Sequence, residues 1–111
     1  MKAVLLSLLF LPTLLYSQYK DDISVVQFSA KFNQQAEIDL NPFKKHNTYT
    51  FYISEKKKIF DKENVKYLPT IILFHNGEEV ERIESGINLK LPDDTTQIIK
   101  DKIDELLKNK F

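Results

Sequence analysis

The stretch Lys66–Glu78, KYLPTIILFHNGE, decides the fold of this chain. Its apolar middle, Thr70–His75, has the length and the β-branched residues of a strand. Asn76-Gly77 then supplies the positive φ angles of a tight hairpin. The chain should therefore return as a further strand over Glu78–Glu84, whose charged residues suit the edge of a sheet.

Two earlier segments also predict strands. Ile23–Ala30 is a short apolar run typical of a central strand buried on both faces, and Thr48–Ser54 is rich in β-branched and aromatic residues. The polar stretch Lys31–Asn47 between them indicates a helix. Because proline disrupts a helix interior, Pro42 either kinks this helix or opens a second one from a cap at Asn41. The sequence leaves both alternatives open.

Two helices are predicted in the second half of the chain. Glu55–Val65 suits a short surface helix, and a longer helix follows Pro92. Asp94 and Gln97 have the spacing of a capping box at its start. One face of this helix is apolar, so we expect it to cover one side of the sheet. That face consists of Ile99, Ile103, Leu106 and Leu107, with Ile98 at its margin.

The order strand, helix, strand, helix, hairpin, helix indicates an α/β domain with a mixed sheet. The 111 residues include 16 basic and 16 acidic side chains, which fits one small domain and disfavours a nucleic-acid partner. His46 and His75 are the only histidines and no cysteine is present, so we expect no metal site. A glycine-rich phosphate loop and a serine elbow are also missing, and we expect no cofactor.

The first 17 residues resemble a secretory signal peptide. Lys2 is followed by the apolar run Ala3–Leu15, and Ser17 offers a small residue before a cleavage point at Gln18. This run is shorter than the ~20 residues that span a bilayer as a helix. The prediction is an exported protein, periplasmic or extracellular, whose mature domain covers residues 18–111 and has no membrane span.

Several of these segments together resemble the thioredoxin family. In that family a strand of the type V-D-F-W-A leads into W-C-G-P-C at the start of a helix, and a later Pro-Thr strand leads into an Asn-Gly hairpin. The similarity covers residues 23 to 107 and implies a trimmed thioredoxin-like fold, a four-stranded mixed sheet flanked by helices. Only about five residues of the predicted mature domain precede Ile23, which is too few for the family's first strand and helix. The matching segments are residues 26–30 (VQFSA), 32–36 (FNQQA), Leu68-Pro69-Thr70, Asn76-Gly77 and Gly86.

The chain departs from the family at its redox centre. The two redox cysteines correspond to Asn33 and Ala36, the buried acid to Gln27, and the two tryptophans to Ser29 and Phe32. Disulfide exchange needs a thiolate, so the chain is predicted not to be a redox enzyme. At the position of the first cysteine, the Asn33 side chain is expected to act as a helix N-cap.

The resemblance also implies a binding surface. In the family the X-Pro bond before the Pro-Thr strand is cis and lies beside the redox motif, and the backbone of the preceding residue pairs with an extended peptide. The predicted peptide-binding residues are therefore Phe32, Asn33, Tyr67, Leu68 and Pro69. Two alternatives stay open. The domain acts as a non-catalytic accessory in thiol–disulfide homeostasis beside a cysteine-bearing partner, or it is purely structural and Pro69 only shapes a turn.

Overall fold

The computed structural model describes residues 18–108, so the predicted signal peptide lies outside the described residues. Neither α-helix in this range has the length and apolar character needed to cross a bilayer. Short 3-10 turns accompany the regular elements at Gln18–Lys20, Lys31–Ala36 and Asn41–Phe43. The regular elements are strands β1 (Ile23–Ser29), β2 (Asn47–Tyr52), β3 (Thr70–His75) and β4 (Glu78–Glu84), and helices α1 (Ile53–Lys62) and α2 (Thr95–Lys108).

The four strands form one mixed sheet in the order β2-β1-β3-β4. Strand β1 runs parallel to β2 and antiparallel to β3, and β3 runs antiparallel to β4. All seven residues of β1 are buried, which confirms that this apolar segment is a central strand. The mixed four-stranded sheet inferred from the order of elements is thus confirmed.

Helices cover both faces of the sheet. Side chains of the central strands point alternately to the two faces, so each face contributes apolar residues to its own core. On one face, Ile99 and Ile103 of α2 pack with Val25 and Leu73. This confirms that the C-terminal helix covers one side. On the other face, Phe60 of α1 lies in a cluster with four strand residues, Val26, Phe28, Ile72 and Phe74.

The segment between β1 and β2 differs from the predicted helix. It contains two separate 3-10 turns, so the single kinked helix is wrong, and Pro42 opens only one short turn. The physical reason lies in Gln27, whose buried side chain forms hydrogen bonds with both the amide and the carbonyl of Ile38. Its Oε1 accepts from the Ile38 amide at 2.8 Å, and its Nε2 donates to the Ile38 carbonyl at 3.2 Å. With these groups already bonded, an α-helical ladder cannot pass through this point.

The capping box predicted for α2 is also wrong. Gln97 donates its side-chain amide to Asp101 one turn further along, at 2.8 Å. The helix starts instead at Thr95, whose hydroxyl donates to the Pro92 carbonyl at 2.6 Å. Leu107 is exposed, so the buried face of the helix is narrower than its apolar pattern suggested.

The hairpin between β3 and β4 follows the prediction. Asn76 and Gly77 have φ angles of 51° and 91°. Their amides donate to the N-terminal segment, Asn76 to the Asp22 carbonyl at 2.8 Å and Gly77 to the Lys20 carbonyl at 2.9 Å. The hairpin therefore also holds the chain that leads into β1.

Gly77→Ala is expected to lower the free energy of unfolding by about 1 kcal/mol, because an L-residue is strained at a positive φ. A Cβ at Gly77 meets no atom within 4 Å, so backbone strain is the only cost. Gly86→Ala is the matched control, since its Cβ meets only the Asn88 side chain at 3.5 Å. Urea unfolding of both variants tests this, and equal stabilities would contradict it.

Candidate functional site

Three loops meet where β1 ends. The 3-10 turn Lys31–Ala36 follows β1, the loop 63–69 precedes β3, and the loop 85–94 follows β4. Phe28 near the end of β1 pairs with Thr70 at the start of β3, and Thr70 pairs with Glu84 at the end of β4. The antiparallel pairings therefore bring the three loops to one end of the sheet.

Asn33 connects these loops. Its side chain is buried, and its Nδ2 donates to the Leu89 carbonyl at 3.1 Å and to the Leu68 carbonyl at 3.4 Å. The predicted N-cap role of Asn33 is wrong, because among the described residues its side-chain oxygen accepts from the Gln35 side chain and from no backbone amide. Asn33 instead joins the turn after β1 to both neighbouring loops.

Asn33→Asp is expected to lower the free energy of unfolding by about 2 kcal/mol, and Asn33→Ala by less. The aspartate would place a buried, charged oxygen against the carbonyl groups of Leu68 and Leu89, where the wild-type amide donates hydrogen bonds. The alanine variant loses the two hydrogen bonds without adding a charge. Thermal or urea unfolding at neutral pH measures the difference. Equal stabilities for the two variants would show that the Asn33 amide does not hold Leu68 and Leu89.

The five predicted site residues differ in exposure. Phe32 is 73% exposed and Tyr67 is 49% exposed. Leu68 is half-buried, whereas Asn33 and Pro69 are buried. The Leu68–Pro69 peptide bond is cis. The loops thus present two aromatic side chains close in sequence to Asn33 and Leu68.

The structure adds two apolar residues that sequence reasoning missed. Ile87 is fully exposed, and Leu89, with a φ of 60°, is 44% exposed. Both lie in the loop after β4, where Gly86 and Lys90 are bonded to each other. In the sequence, the only indication of a surface role for Ile87 and Leu89 was that these apolar residues stand beside Gly86 and Asn88. Because the Leu89 carbonyl bonds to Asn33, this loop joins the same surface.

Below this surface lies the buried amide of Gln27. Gln27 is 1% exposed, and its Nε2 also lies 3.5 Å from the Thr50 hydroxyl. Next to it, the Ser29 hydroxyl donates to Glu37 at 2.8 Å. Within residues 18–108, no group of three or more histidine or acidic side chains is placed to hold a metal ion.

Comparison with known proteins finds the same architecture in solved structures. A mutant thioredoxin from Halobacterium salinarum matches with a TM-score of 0.59 and 19% identity over 77% of this chain and 78% of that chain. Thioredoxin-2 of the malaria parasite matches with a TM-score of 0.56 and 23% identity, over 72% and 82%. Schistosoma mansoni thioredoxin matches with a TM-score of 0.55 and 23% identity, over 82% and 85%.

The chain has a thioredoxin-like fold. No protein-family model matches it, and neither does any curated protein. The identities are low, so these likenesses establish the fold alone. Because the chain contains no cysteine, the thiolate that drives thioredoxin chemistry is missing from this thioredoxin-like domain.

Proposed function

We propose that this protein is a redox-inactive thioredoxin-like domain that binds extended polypeptide on the surface formed by the three loops. The observation that supports this most is the Leu68 backbone. Among residues 18–108, no hydrogen bond uses its amide, and the side chain of the neighbouring Tyr67 is exposed. Such a backbone segment suits pairing with an extended chain.

The hydrogen-bonding capacity of Leu68 is only partly used. Its carbonyl accepts one long bond from Asn33, at 3.4 Å, and a carbonyl oxygen has two lone pairs. A bound peptide would therefore find one donor and one acceptor on the same residue. Asn33 holds this residue in position, so little ordering of the loop opposes binding.

The exposed side chains supply the apolar contacts. They come from all three loops, and aromatic residues in particular are enriched at protein interfaces. The chain carries no thiol, so binding is not followed by thiol chemistry. The contact residues proposed are Phe32, Tyr67, Leu68, Ile87 and Leu89, with Asn33 and Pro69 beneath them.

We further propose that the domain acts outside the cytoplasm. The apolar segment before Ser17 supports export, and cleavage there would free Gln18 as the new N-terminus. Mass spectrometry of the protein recovered from the periplasm and the medium tests this. A chain that keeps Met1 and stays with the cells would contradict it.

Binding is tested with carboxymethylated casein, an unfolded polypeptide without free thiols. We expect wild-type protein to bind it and Phe32→Ser to bind about tenfold more weakly, since an exposed aromatic contact is lost. Leu107→Ser is the matched control, because it also removes an exposed apolar residue but lies on α2, away from the loops. Equal loss in both variants would contradict the proposed surface.

Crosslinking in the exported fraction separates the alternatives. Partners of varied sequence that are lost in Phe32→Ser would support polypeptide binding. A single partner that carries a reactive cysteine pair would favour the accessory role in thiol–disulfide homeostasis. Recovery unchanged by Phe32→Ser would leave the domain structural and overturn the proposal.

A further inference from the structure

The outer edge of β2 is open. Strand β2 pairs only with β1, so within residues 18–108 its other side has no strand partner. Its sequence, NTYTFY, contains no charge, proline or glycine, whereas the opposite edge strand β4, EEVERIE, carries five charges in seven residues. Charges protect an edge strand from pairing with other chains. The β4 edge has this protection and the β2 edge lacks it.

A groove of about 580 Å³ runs between β2 and α1. Tyr49 and Phe51 of β2 and Ile59 of α1 supply its apolar lining. The aromatic part is fixed, because the Phe51 ring lies 5.7 Å from Tyr49, 5.6 Å from Tyr19 and 5.9 Å from the fully buried Phe28. These contacts hold the Phe51 ring against the core beside the groove.

The rim of the groove is positively charged. Lys56, Lys57 and Lys58 line it and are exposed, against one acid, Glu55. Glu55 pairs with Lys31 and Lys57 pairs with Asp61, which leaves Lys56 and Lys58 without an ion-pair partner in the described residues. An acidic ligand would therefore be attracted to this rim.

We propose that the β2 edge is a second binding site, which takes an extended acidic segment of a partner protein as an added strand. The partner backbone pairs with β2, and every second side chain enters the groove against Tyr49 and Phe51. Acidic side chains of the segment lie on Lys56 and Lys58. None of the residues that line this groove belongs to the loop surface around Phe32, although Glu55 at its rim pairs with Lys31.

A second copy of the chain fits this edge less well. Antiparallel pairing of β2 with β2 would place both α1 helices on the same face of the joined sheet. The two lysine rims would then approach each other, and like charges in an interface oppose association. The charge on the rim therefore favours an acidic partner over self-association.

The test uses a fluorescent peptide of alternating valine and threonine around a central phenylalanine, with glutamates at both ends. We expect it to bind the protein and to slow hydrogen exchange at the β2 amides that point away from β1. The Lys56→Glu/Lys58→Glu variant should weaken binding about tenfold by reversing two charges. Lys100→Glu/Lys108→Glu on α2 is the matched control and should bind as the wild type does.

Three results would overturn the proposal. One is equal binding by the peptide with lysines in place of its glutamates. Another is loss of binding in Phe32→Ser, which would move the peptide to the loop surface. The third is protection, in the free protein, of the β2 amides that point away from β1, whether by a dimer seen in ultracentrifugation or by another segment of the chain. Retained binding in Phe32→Ser, with loss in the lysine variant, supports the second site even if the loop surface binds nothing.

Discussion

Gln27→Glu is expected to lower the free energy of unfolding by about 3–5 kcal/mol at pH 7. The wild-type amide both donates to and accepts from the Ile38 backbone inside the core. An introduced carboxylate would still accept from the Ile38 amide, but its second oxygen would face the Ile38 carbonyl without a proton. The result is a buried charge opposed by a carbonyl dipole.

This loss should depend on pH. Burial and the facing carbonyl raise the folded-state pKa of the introduced carboxyl above the value near 4.3 of the unfolded chain. Below that value both states are protonated and the penalty is smallest. Stability then falls as the pH rises from about 4.3 to the folded pKa, and it levels off above that pKa.

Urea unfolding of Gln27→Glu between pH 4 and pH 8 measures this effect. Gln34→Glu is the matched control, because Gln34 is exposed and the same substitution should change stability by under ~0.5 kcal/mol. A Gln27→Glu variant as stable as wild type at pH 7 would contradict the account of Gln27. It would also show that the hydrogen bonds between Gln27 and Ile38 are not what prevents an α-helix after β1.

Glu63→Ala is expected to cost about 2–4 kcal/mol, because Glu63 accepts two hydrogen bonds at a largely buried position. Its Oε2 lies 2.5 Å from the Tyr19 hydroxyl and 2.8 Å from the Lys20 ammonium. Removal of the carboxylate leaves both donors without this partner. The N-terminal turn, which Tyr19 and Lys20 attach to the sheet, should loosen first.

Removal of an exposed ion pair is the control for the loss of the buried Glu63 carboxylate. Asp61→Ala removes the Lys57–Asp61 pair, whose side chains are largely in solvent, and should cost under ~0.5 kcal/mol. Glu63→Gln keeps an acceptor for Tyr19 and should fall between the two. Hydrogen exchange at residues 19 to 21 reports the N-terminal turn directly. Similar costs for Glu63→Ala and Asp61→Ala would contradict the structural role of Glu63.

Tyr19 makes the free energy of unfolding depend on pH in the alkaline range. Burial, together with the hydrogen bond to Glu63 and its charge, raises the pKa of the Tyr19 hydroxyl. A raised pKa means that stability is lost as the pH rises above the unfolded value near 10. The variant Tyr19→Phe should lack this part of the alkaline decline.

Much of the fold could be predicted from the sequence because local signals and burial agree. Val25, Val26 and Phe28 identify a central strand, and Asn76-Gly77 identifies a hairpin. The segment after β1 could not be predicted, since its conformation depends on Gln27 reaching Ile38, eleven residues away. Helical propensity says nothing about such a contact.

The candidate site shows the same limit. The resemblance indicated Phe32 and Leu68, which lie in loops that the structure brings together. The link from Asn33 to the Leu89 carbonyl joins residues 56 positions apart, and it depends on strand pairings that no local pattern reveals. Leu89 and Ile87 could be recognised as surface residues only after β4 had been placed.

Nuclear magnetic resonance of the labelled protein titrated with carboxymethylated casein tests the central claim most directly. We expect amide signals around Phe32, Tyr67, Leu68 and Leu89 to shift together and the Leu68 amide to shift most. Phe32→Ser should weaken all of these changes. The absence of shifts at saturating casein, or shifts confined to α2 or to β4, would contradict it.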